Sequence, residues 1–197
     1  MYALAPVRTA DPAPLISLDE ARRHLRIDDV NSNQVIAHLI GAAAAHLDGH
    51  AGILGRALVT QTWRQDIGCF PGVDIIRLPL RPVQSITHVK YSDDDDAEQT
   101  LATSVYGGPY TDALGPFIQR RTGQSWPSTY DRPDAVRVTF VAGYGTAAEV
   151  PAAIRQSALL LIAHWFENRE ATIVRHAVIE TPLAVDRLIA PYRCTGF

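Results

Sequence analysis

The residues best suited by type and spacing to do chemistry are His46, Asp48 and His50, in the stretch "HLDGH". Two histidines four positions apart share one helix face, and neutral imidazole is a common ligand of zinc and related ions. With a carboxylate between them, the pattern points to a small metal-dependent hydrolase. A zinc peptidase helix of the H-E-x-x-H type places its general base directly after the first histidine; Leu47 stands there instead. The third ligand would have to come from elsewhere, and Gly49 weakens the helix locally. The competing reading is a pair of polar side chains in the last turn of a helix, where a cation suits the helix dipole.

Three further stretches invite chemistry and resist it. In "VTFVAGYGTAAEVP" a strand-like run meets Gly143 and Gly145, as in a phosphate cradle. A dinucleotide fingerprint needs a third glycine where Ala148 stands, and a P-loop needs a lysine that is absent. Pro151 also removes one N–H from the helix end an anion would face. Two glycines at a sharp strand-to-helix turn account for the segment. Asp93, Asp94, Asp95 and Asp96 lack the alternating ligands, central glycine and closing glutamate of a calcium loop, and read as a solvated hairpin tip. Arg22, Arg23 and Arg26 read as an ordinary solvated helix face. There is no G-x-S-x-G elbow, and neither cysteine has a histidine beside it in sequence.

These residues need elements to position them. Residues 1–16 contain three prolines and no periodicity, which predicts an extended arm. "SLDE", Ser17 to Glu20, fits a capping box, with Ser17 accepting a backbone N–H and Glu20 reaching back. The helix it opens ends near Ile27. A second helix begins after Asn31 or Ser32 and presents Ile36, Leu39, Ile40, Ala43 and Leu47 on one face, ending at Gly49 and Gly52. Residues 17–52 are therefore helical. From 57 to 142, "ALVTQTWRQDI", "VDIIRLPL", "VQSITHVKY", "TLATSVY", "PFIQR" and "AVRVTFVAG" predict short antiparallel strands separated by turn residues. Residues 151–170 form the strongest helix, with Pro151 at its first position and Ile154, Ala158, Leu161, Ile162 and Trp165 along one face. "TIVRHAVIETP" reads as a loop. Residues 183–197 make a short helix and a tail. Helices, then strands, then helices predict an α+β fold, mainly helical with a β-rich insertion, in one domain spanning 1–197.

Composition bounds the function classes. The chain has 197 residues, 47% hydrophobic and 20% charged, with a net charge of −3. That balance argues against whole-molecule attraction to DNA. Of 18 basic residues Lys90 is the single lysine, which leaves local arginine patches open. No apolar run approaches the ~20 residues of a bilayer span, and no secretory signal is expected at the N-terminus. Cys69 and Cys194 lie far apart with no C-x-x-C motif, as in a chain that folds in a reducing cytoplasm.

The end of the chain, "LIAPYRCTGF", is apolar and aromatic where an unsupported terminus is normally polar. Such a tail either docks back on its own domain or anchors in a partner, and sequence leaves the two level.

In order and spacing, "LISLDEARRHLRID", "VIAHLIGAAAAHLDGHAGILGRALVTQTW", "LPLRPVQSITHVKY", "VRVTFVAGYG" with "VPAAIRQSALLLIAHWFENREA", and the late "APYR" resemble a known family. It is the head-tail connector, or adaptor, family of tailed phages and phage-like gene transfer agents. The resemblance spans most of residues 15–193. It implies a structural virion component, made in the bacterial cytoplasm and placed in the particle neck, with no catalytic residues, metal or cofactor. It also implies a ring, usually of twelve copies, under the portal protein, with a stopper or tail-completion protein on the opposite face. The ring would extend the DNA channel, touch translocating DNA only transiently and non-specifically, and contact no membrane. By this similarity Leu188, Ile189, Pro191, Tyr192, Arg193 and Phe197 form the portal anchor. In such a ring the tip Asp93, Asp94, Asp95 and Asp96 is expected to face the DNA channel, where its charge would let DNA slide. The hydrolase reading on His46, Asp48 and His50, and a generic dimeric binding module, are the alternatives.

Overall fold

In "VRVTFVA" every second side chain is apolar, and Val136, Val138, Phe140 and Ala142 are all buried. The alternation puts one face of the strand into the core, and the strand is paired along both edges. The structure, a computed structural model, describes residues 3–168 and 183–194. Its elements are β1 (Val7–Ala10), α1 (Leu18–Leu25), α2 (Asn33–Leu47), β2 (Gln61–Ile67), β3 (Ile75–Arg77), β4 (Val83–Ser92), β5 (Glu98–Thr100), β6 (Tyr106–Asp112), β7 (Gly115–Arg120), β8 (Val136–Ala142), α3 (Ala152–Glu167) and α4 (Leu183–Ile189). The fold is α+β, with four helices and two antiparallel sheets among the described residues. None of the described helices is long and apolar enough to cross a membrane.

The chain divides into two units, one built on Met1–Pro12 and Thr60–Tyr144, the other on Ala13–Val59 and Gly145–Gly196. The first holds both sheets. A five-stranded sheet runs β1-β2-β8-β4-β5, and a three-stranded sheet runs β3-β7-β6. Trp63 of β2, Phe140 of β8 and Ile86 of β4 stand in one row of the larger sheet, and Gln65, Val138 and Val89 in another. Two bulges, at Val83/Ser85 and Ile86/His88, bend β4 along this pairing.

Three strands were not legible as such, among them β5, most of which lies between two expected strands. Residues 7–10 of the extended arm add to the sheet edge as β1, pairing with β2. "YGGPYTD", 106–112, reads as turn residues but forms β6, because a bulge between Gly107 and Tyr110 absorbs the interruption. Gly108 has φ +126°, and a Cβ there would lie 3.0 Å from the Phe117 carbonyl oxygen, so glycine is what the close approach requires. Conversely, the expected strand "TLATSVY" is not continuous. Residues 102–105 form a turn closed by the Val105 N–H donating to the Ala102 carbonyl at 3.0 Å.

The second unit is helical. The Ser17 Oγ accepts the Glu20 N–H at 3.2 Å, as expected of a cap, but Glu20 does not complete the box. Its carboxylate instead takes a 2.6 Å bond from Arg155 of α3, since a cation on a packed neighbour binds it better than a neutral N–H. The cap before α2 also differs from expectation. Ser32 makes no side-chain capping bond, whereas Asp29 accepts the Asn31 N–H at 3.0 Å and starts a short 3-10 turn. Ile36, Ala43 and Leu47 are buried along α2, and Ile154, Ala158, Leu161 and Ile162 along α3. Pro151 sits one residue outside α3, at its N-cap. After α4 the chain keeps turning. A 3-10 turn, Ala190–Tyr192, runs through Pro191, because a residue early in a turn has no N–H bond to lose. The loop reading of "TIVRHAVIETP" and the end of the 151–170 helix at 169–170 lie outside the described residues.

Candidate functional site

The apolar tail is the segment with most to explain, and its local structure follows from spacing. Val185 and Ile189 lie four apart on α4, hence on one helix face, and both are fully buried. Leu188 and Tyr192 are half-buried, while Pro191 and Arg193 are exposed. Arg193 pairs with Asp186 at 2.6 Å, both side chains near 40% exposed, so the pair contributes little. Phe197 lies outside the described residues.

Beyond α4 the main chain is held by the loop that follows α2. The Nε–H of Arg56 donates to the Tyr192 carbonyl at 2.5 Å, and the Cys194 N–H donates to the Leu54 carbonyl at 3.1 Å. That loop is itself tightly built. The Gly49 N–H donates to the Arg56 carbonyl at 2.6 Å, and the Ile53 N–H to that of His46 at 2.9 Å. Gly55 adopts φ +60°, and a Cβ there would lie 3.4 Å from the Cys194 Cβ. Through Cys194, then, the tail lies on its own unit. Sequence left this open because each bond spans well over a hundred positions.

Asp48, put forward as a metal ligand, is part of the same loop. It is only 8% exposed, and its Oδ1 accepts the buried Leu58 N–H at 2.7 Å. His46 packs edge-on against Trp165, with ring centroids 6.1 Å apart, and His50 is exposed. Among the described residues no three His, Cys, Asp or Glu side chains come together to hold a metal ion. In this arrangement His46 packs, His50 meets solvent, and the Asp48 carboxylate serves the backbone.

The acidic run forms the β4–β5 turn as a hairpin tip. Its charges are largely engaged. Asp93 accepts the N–H groups of Asp95 and Ala97 and the Gln99 amide, which hold its carboxyl below the usual range, the Gln99 bond most of all. Asp94 accepts the Ser128 hydroxyl at 2.6 Å, and Asp96 pairs with Arg132 at 2.9 Å. Asp95 is exposed. The tip is an ordered structure rather than a bare anionic run.

The glycine joint also explains itself. Thr146 donates to the Glu149 Oε2 twice, from its N–H at 2.6 Å and its hydroxyl at 2.9 Å. A carboxylate of the chain itself thus occupies the N–H that a phosphate would need. In the basic cluster, Arg22 caps its own helix end by donating to the Ile27 and Asp28 carbonyls, while Arg23 and Arg26 are exposed.

Sequence reasoning missed two functional-looking arginines. Arg56 was an unmarked loop residue, and Arg77 of β3 proves to grip Asp112 at the end of β6. The signal for the second was weak but present, since "TDALG" is an aspartate three residues before a glycine, a turn pattern.

No family model matches the sequence, and no curated protein matches it. Solved structures do. The chain has a TM-score of 0.77 and 22% identity to a chain in the neck of an empty gene transfer agent particle computed with C6 symmetry, covering 98% of this chain and 97% of that one. Similar values hold for a chain in the virion of a native gene transfer agent particle, with TM-score 0.76 and 20% identity over 98% and 97%. A chain in the neck of a native particle computed with C12 symmetry gives 0.71 and 21%, again over 98% and 97%. The fold, from end to end, is one found in the neck of gene transfer agent particles.

Proposed function

We propose that the chain is a structural neck component, a head-tail connector of a gene transfer agent or tailed-phage particle. One observation carries the reading: a fold shared over nearly the full length of both chains with a neck chain. The sixfold and twelvefold symmetries of those necks favour a ring of identical copies, twelve in number, around the DNA path. In this proposal the ring binds the portal protein on one face and a stopper or tail-completion protein on the other. Twelve modest contacts on a preformed symmetric platform add to large avidity, so a copy can be soluble alone and assemble on the portal.

The portal anchor in this proposal is the C-terminal segment with Leu188, Ile189, Pro191, Tyr192, Arg193 and Phe197. Buried Ile189 roots the segment, and exposed Pro191 and Arg193 with half-buried Leu188 and Tyr192 supply the contact. The Asp93–Asp96 tips line the channel, where negative charge keeps DNA from adhering.

The test is co-sedimentation with intact portal rings from the same particle. Full-length chain is compared with one ending at Arg187 and with a Pro191→Asp/Arg193→Asp variant, which spares the buried root. Saturable binding by the full chain alone supports both role and anchor. Equal binding by all three moves the interface elsewhere, and no binding by any removes the connector reading.

A further inference from the structure

We infer that the loop 54–56 is a clasp that sets the path of the C-terminal anchor along its own unit, with Arg56 as the positioning residue. The inference rests on the anchor reading above but concerns residues outside the anchor.

Three observations carry it. Arg56 donates its Nε–H to the backbone carbonyl of Tyr192 at 2.5 Å. A bond to main chain fixes the path of the segment whatever its side chains then contact, and a bond from a charged donor is among the stronger kind. Two residues on, the Cys194 N–H returns to the Leu54 carbonyl. These two bonds bracket Arg193, so the last described residues of the chain follow a set path. Finally, the loop is shaped for this approach. Gly55 takes a left-handed φ of +60°, and the space a side chain would fill meets Cys194 Cβ at 3.4 Å. The Arg56 carbonyl is meanwhile tied to the Gly49 N–H at 2.6 Å, which anchors the clasp to the end of α2.

The chemical consequence is preorganisation. A segment whose path is set before docking loses less conformational freedom when it docks. Repeated around a ring, one anchor geometry per copy also lets every anchor meet its site at once. Breaking the clasp should weaken docking while leaving each contacting side chain in place.

The experiment uses the full chain in a Cys69→Ser background, so that Cys194 is the one thiol. Arg56→Met removes the donor and keeps the stem; Arg56→Lys restores a cation that can reach a carbonyl. Alkylation of Cys194 reads the clasp, and portal co-sedimentation reads docking. For Arg56→Met the expected result is faster alkylation and portal affinity about 10-fold weaker, matching one charged hydrogen bond, with part of both recovered by Arg56→Lys. Unchanged alkylation in Arg56→Met overturns the clasp. Faster alkylation with unchanged portal affinity overturns the positioning role, provided that Pro191→Asp/Arg193→Asp does lose binding. If that anchor variant also binds normally, the anchor reading itself has failed, and this inference goes with it.

Discussion

Arg77 holds Asp112 by two parallel bonds of 2.9 Å, Nη1 to Oδ1 and Nη2 to Oδ2, reaching across β7, which lies between their strands. The same Oδ1 accepts the N–H groups of Leu114 and Gly115 and so closes the β6–β7 turn. One carboxylate thus joins the edge of the small sheet to its hairpin. The Arg77 bond, more than the turn bonds, pulls the Asp112 carboxyl down to about 2 from the ordinary 3.8.

A pH dependence follows with a definite sign. A carboxyl whose pKa is lower in the folded state stabilises the fold above its unfolded value and loses that contribution as pH falls through the folded one. The Asp112 contribution should therefore be complete above about pH 5 and lost progressively as the pH falls to about 1. Carboxyl-carbon NMR titration should place the Asp112 midpoint near 2. Thermal melts should show Asp112→Asn less stable than the parent at pH 7, with the gap closing as pH drops through that window.

Asp48 should behave as a structural acceptor rather than a ligand. Asp48→Ala leaves the buried Leu58 N–H unpaired and should cost about 1–3 kcal/mol by urea denaturation. Asp48→Asn keeps an accepting oxygen and should lose less. Chelator should leave the melting temperature of the parent unchanged, and a drop would revive the metal reading.

Gly145 has φ +130°, and a Cβ there would lie 2.2 Å from Glu149 Oε2. Gly145→Ala should destabilise by more than about 1 kcal/mol, since backbone strain adds to disruption of the Thr146–Glu149 cap. Glu149→Gln keeps the oxygen and should be milder; equal losses would mean that the cap, not the backbone, dominates.

The channel-facing proposal for the acidic tip has its own measurement. Asp94→Lys/Asp95→Lys changes two exposed positions and spares the Asp93 and Asp96 bonds that shape the turn. Portal-bound rings carrying it should bind double-stranded DNA at about 0.15 M salt, with affinity falling steeply as salt rises, where parent rings do not. Parent-like behaviour would place the tip away from the DNA path.

Much of the architecture was legible because it rests on local physics. Helical spacing in 33–47 and 152–167 put the buried residues on the right faces, and the β-branched run of 136–142 marked a strand. The glycine joint could be excluded as a phosphate site from the residues it lacks. The fold class followed from the order of these patterns. What needed the tertiary structure were choices between partners equally near in type but far apart in sequence. Glu20 reaches Arg155 and not its own helix end; Asp48 serves the Leu58 N–H; the tail meets Arg56, 136 positions away. β6 emerged only because its partner β7 accommodates the bulge at Gly107. Periodicity reports which face of an element must be buried. It carries no record of which distant donor will reach a given acceptor, because that is set by where packing brings two parts of the chain together.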